Sequence, residues 1–184
     1  MMRPVLALLV FAVILAAAPA ARAQMPREAH FTLSSNDFTD GGAISARFTC
    51  DKEGDSPPLH WENVPEHVKT YVLAVDDPDA PNGDYTHWIV YNMPDNTRDL
   101  AAGANAKPDL GIKAQQGMNS AGKPAWTPPC PPTGDHHYIF TLYALDADIT
   151  LSPGTTLDKK ALEAAIQGHV LAQAELTGRY TKHQ

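Results

Sequence analysis

The chain is 184 residues long and carries 14 basic against 21 acidic side chains, a formal net charge of −7 at neutral pH. That is one domain's length, enough to bury a core without metal staples, and the lack of any basic run removes the electrostatic footprint of a nucleic-acid binder. The acidic balance also opposes anionic membrane surfaces, so an anion must be held by a local pocket against the field of the whole molecule.

The N-terminus reads as an address. Met1-Met2-Arg3 is a short basic start, Val5 to Ala18 is an unbroken apolar run, and Ala21-Arg22-Ala23 is an A-x-A cleavage site. Together they predict a signal peptide over 1–23, cut before Gln24, because the run is shorter than the ~20 residues of a membrane-spanning helix. A single domain over 24–184 would then reach the periplasm or be secreted, with no integral membrane segment after processing. In an oxidising compartment the two cysteines, Cys50 and Cys130, are expected to form a disulfide, two separate buried thiols being the alternative.

Downstream the pattern is mainly β. Phe31–Leu33, Ala43–Thr49, Leu59–Trp61, Thr70–Asp76, Tyr85–Met93 and Tyr138–Leu145 are short runs rich in β-branched and aromatic residues. Gly, Pro, Asn and Asp clusters separate them, which predicts an antiparallel sandwich or barrel. Between Pro94 and Gly134 no regular pattern appears, and an unpatterned connection of this length is usually functional. One helix is expected. Thr155 to Asp158 resembles a capping box, Leu162, Ala165 and Ile166 follow at helical spacing, and Gly168 is a natural stop. Val170 to Leu176 then alternates like a strand, with a continued helix as the competing reading.

The chemistry gathers where strands end. Asp76-Asp77-Pro78-Asp79-Ala80-Pro81 follows an apolar run, His87 opens the next, and Pro131-Pro132 precede His136-His137-Tyr138. Residues two apart on a strand share a face. Asp77 and Asp79 therefore share one if the chain stays extended through Pro78, and His136 shares one with Tyr138. His87 falls on the face of Ile89, opposite Trp88. If the strand ends are neighbours, Asp77, Asp79, His87, His136 and Tyr138 converge, with the prolines stiffening the rim. Taken singly, each has a plainer explanation: the aspartates as turn formers, His87 as a satisfied core histidine.

Two imidazoles beside carboxylates can hold a phosphate, each donating an N–H, with a tyrosine hydroxyl as a further donor. Zinc is the rival occupant, but the spacing matches no compact zinc signature, so neither metal nor other cofactor is expected. A serine nucleophile has no support either, since no G-x-S-x-G is present.

These motifs resemble the phosphatidylethanolamine-binding protein family, in its bacterial and archaeal branch described as Raf kinase inhibitor-like. The framing segments agree: Ser56-Pro-Pro-Leu-His-Trp61, Tyr143-Ala-Leu-Asp146 and Gly168-His-Val-Leu-Ala-Gln-Ala-Glu-Leu176. The resemblance implies two packed antiparallel sheets with one or two short peripheral helices and an anion pocket at one end. It implies Asp77, Asp79, Pro81, His87, Pro131, Pro132, His136 and Tyr138 as pocket residues. His137 stands where an arginine is common in the family. The expected ligand is a phosphate-like anion or a phosphorylated small molecule, bound without catalysis. The alternatives are an inhibitor-like regulator of a kinase or, for an exported protein, of a protease or envelope partner, and lastly a histidine-dependent hydrolase.

Overall fold

The computed structural model describes residues 30–182; the expected signal peptide lies outside them. Nine strands form two sheets. The smaller has the order β1 (Thr32–Ser34), β3 (Leu59–Glu62), β6 (Asp99–Leu100). The larger has the order β2 (Gly42–Ala43), β9 (Val170–Thr181), β8 (Asp135–Leu145), β4 (Thr70–Asp77), β5 (Tyr85–Pro94), β7 (Gln115–Gly117). All pairings are antiparallel except the parallel contact of β2 with β9.

Strand β4 explains the layering. It is sandwiched between β5 and β8 and buried along nearly its whole length. Its odd residues Tyr71, Leu73 and Val75 enter one core with Trp61 and Leu100 of the small sheet and Phe140 of β8. Its even residues Val72 and Ala74 enter a second core with Leu157, Leu162 and Ile166 around the helix. Period-two alternation between two apolar faces is what a central strand covered on both sides requires. The molecule is therefore small sheet, large sheet, helix. Among the described residues no helix is long and apolar enough to cross a membrane.

Two expectations are corrected here. The strand expected over Ala43–Thr49 ends at Ala43, and Ala46–Phe48 is a single 3-10 turn. The Phe48 and Thr49 N–H groups donate back to the Ser45 and Ala46 carbonyls at 2.9 and 3.1 Å, local bonds that close a turn instead of extending a ladder. The helix is not capped at Thr155. It spans α1 (Lys159–Ile166), and the Asp158 carboxylate accepts the Ala161 N–H at 2.8 Å. Leu157 before the cap and Leu162 in the first turn are buried together, an apolar staple that fixes where the helix begins. After Gly168 the chain is strand, not continued helix, and β9, at 12 residues, is the longest strand among the described residues.

Candidate ligand-binding site

One end of the large sheet closes around a cavity of about 310 Å³. That is at the lower bound of small-molecule sites, roughly 300 Å³. Strand β4 supplies Asp77 as its last residue, and β8 supplies His136 and Tyr138 from its first turn of the pleat. His136 directs Nδ1 to Asp77 Oδ2 at 2.7 Å, with both side chains buried. The carboxylate accepts that proton, which leaves Nε2 of His136 for a ligand.

His87 arrives by a different route from the one its sequence position predicts. Regular alternation would place it with Ile89 on the helix face. In the β4–β5 ladder Val75 pairs with Trp88 and Asp76 with Thr86, so His87 is skipped. This bulge turns His87 to the cavity side, where it meets Tyr138 at a ring separation of 5.1 Å and Tyr85 at 4.8 Å. Its Nδ1 donates to the Thr127 carbonyl at 2.7 Å, and its Nε2 stands 3.9 Å from Asp77 Oδ2. The bulge corrects the parity reasoning while delivering the residue it predicted.

Asp79 does not join the cavity. The chain turns at Pro78 instead of staying extended, because the Asp77 carboxylate accepts the Asp79 N–H at 2.9 Å. Asp79 is left exposed outside, where its Oδ2 accepts from the His137 N–H and ring Nδ1, at 2.8 and 2.7 Å. Pro81, Pro131 and Pro132 do line the cavity. Sequence reasoning missed Tyr85, Thr127, Pro128 and Cys130, which line it too. Tyr85 opens the Tyr85–Met93 run two residues before His87, so it shares that residue's face, a usable signal. Thr127 and Pro128 open the same proline-rich segment that holds Pro131 and Pro132, a usable signal. Cys130 is bridged to Cys50, so the disulfide forms part of the wall.

The electrostatics follow from burial and partners. Burial pushes the Asp77 carboxyl up, but the imidazoles of His87 and His136 and the Asp79 N–H more than offset it and hold it below the usual carboxylate value. Hydrogen bonds from His137 lower Asp79 likewise. Burial pushes the Tyr138 phenol well up, so it remains a neutral donor. That hydroxyl is fully buried and, among the described residues, has no hydrogen-bond partner. Apolar prolines and aromatic rings therefore surround a small polar floor: two imidazoles and one carboxylate already engaged.

Comparison with known proteins agrees with this architecture. The model of the phosphatidylethanolamine-binding protein family matches residues 34–181. The chain belongs to that family. Among phosphatidylethanolamine-binding protein (PEBP) relatives, a UPF0098 protein of Methanothermobacter thermautotrophicus is 41% identical over 150 residues, covering 82% of this chain and 98% of the relative. One from Chlamydia trachomatis is 42% identical over 155 residues, covering 82% and 98%. The crystal structure of a PEBP homologue from Chlamydia trachomatis superposes with a TM-score of 0.76 at 40% identity, over 84% of this chain and 99% of that one. E. coli YbcL, a further PEBP member, superposes with a TM-score of 0.75 at 29% identity, over 84% and 100%.

Proposed function

We propose that this protein is an exported binding protein whose cavity holds a phosphate-like anion, free or on a phosphorylated small molecule or lipid headgroup. The observation that carries the reading is the pair of imidazoles lining the cavity, His87 and His136, each with its Nδ1 already bonded to the protein. With Nδ1 of each spent on the protein, a neutral ring offers only a lone pair at Nε2, whereas a protonated ring donates there. The family's name supports the class of ligand, since phosphatidylethanolamine carries a phosphodiester.

Titration of histidine-labelled protein with phosphate, phosphoethanolamine and sulfate, followed by NMR, tests the reading. The His87 and His136 ring signals are expected to move on addition, with saturation at millimolar anion or below. Ring signals that stay fixed to tens of millimolar of all three anions, in a folded protein, would refute the assignment.

A further inference from the structure

We propose that Lys159, Asp76 and Thr86, which lie behind the cavity on the helix side of the large sheet, are positioning residues that hold His87 in the ligand site. The inference rests on the anion-binding reading for its consequence but not for its geometry. A bulge is a place where the ladder loses a pairing, and a slip of one residue reverses every side chain's face. Something must keep His87 from moving to the side on which Ile89 packs.

On one flank the answer is apolar. Trp88, paired with Val75, is fully buried in the core between the sheets. On the other flank it is polar. Thr86, the residue paired with Asp76, donates its hydroxyl to Asp76 Oδ1 at 2.7 Å. The second oxygen of Asp76 accepts from Lys159, the first residue of α1. The Asp76 side chain is only 14% exposed, so its charge needs that ammonium. The Thr86 backbone is held as well, its N–H donating to the Ser120 hydroxyl and its carbonyl accepting the Ser120 N–H, both at 2.9 Å. With Thr86 tied to the helix side and Trp88 tied to the sandwich core, the skipped residue between them has only the cavity to occupy. Groups that never touch the ligand thus fix one of its donors.

The test pairs Thr86→Val with Thr86→Ser and adds Lys159→Met, with the exposed Lys160→Ala as control. Two readouts are taken: the NOE between the His87 and Tyr138 rings without ligand, and affinity for inorganic phosphate. Thr86→Val and Lys159→Met are expected to weaken that NOE and to lower phosphate affinity about tenfold or more. Thr86→Ser and Lys160→Ala should keep both at wild-type values. A wild-type NOE and affinity in Thr86→Val and Lys159→Met would overturn the proposal; if Thr86→Val does not fold, Lys159→Met decides alone. Should the wild-type chain bind no phosphate, the functional reading fails, and the NOE still decides whether these residues position His87.

Discussion

At the scale of single residues, Tyr138 separates a binding role from a structural one. Its hydroxyl is buried and, among the described residues, has no hydrogen-bond partner, so its desolvation is not repaid within them. Tyr138→Phe is expected to leave thermal stability unchanged or to raise it by about 1 kcal/mol, because removing an unmet polar group removes its desolvation cost. The same change should cost a ligand hydrogen bond to an anion, about 1.5–3 kcal/mol, or roughly tenfold to a hundredfold in phosphate affinity. Calorimetric unfolding and isothermal titration of the one variant check both signs. A fall in stability together with unchanged affinity would return the residue to the core. Alternation put His136 and Tyr138 on one face of β8, but that Asp77 meets them depends on β4 and β8 being neighbours, which local spacing does not state. The placement of Asp79 was not legible either, since a carboxylate two residues from another can close a local turn as readily as extend a strand.

At the scale of elements, boundaries were set by groups that periodicity does not see. The α1 helix has only eight residues, so its cap is a large share of what holds it. Asp158→Ala is expected to destabilise the protein by about 1 kcal/mol, measurable as a shift in denaturant midpoint, while Thr155→Ala should be close to neutral. The existence of this helix followed from the spacing of Leu162, Ala165 and Ile166; its start required knowing which of two oxygen-bearing residues faced the Ala161 N–H. The bulge in β5 belongs to the same class. No residue at 85–88 announces it, because its cause lies across the sheet: Val75 opposite Trp88 and Asp76 opposite Thr86 cannot both be satisfied without skipping one position.

At the scale of the whole molecule, the cavity wall and the fold share a covalent tie. The Cys50–Cys130 bridge spans 80 positions of sequence. A loop of that size corresponds to about 4.5 kcal/mol in the chain-entropy model, with native strain and residual structure reducing what is realised. Replacing both cysteines by serine is expected to lower the melting temperature on the order of 10 °C. It should also weaken anion binding, because Cys130 and the neighbouring Pro131 and Pro132 form part of the wall. Scanning calorimetry and phosphate titration of the double variant check the two effects. By itself the sequence determined the mainly β architecture, the positions of the long strands, and the residue types able to hold an anion, because each of these is written in local spacing. The tertiary structure alone decided that His87 faces the cavity, that Asp79 does not, and that Tyr85, Thr127 and Cys130 complete the wall. Those outcomes depend on which strands become neighbours and in what register, and register is settled by contacts between residues tens of positions apart.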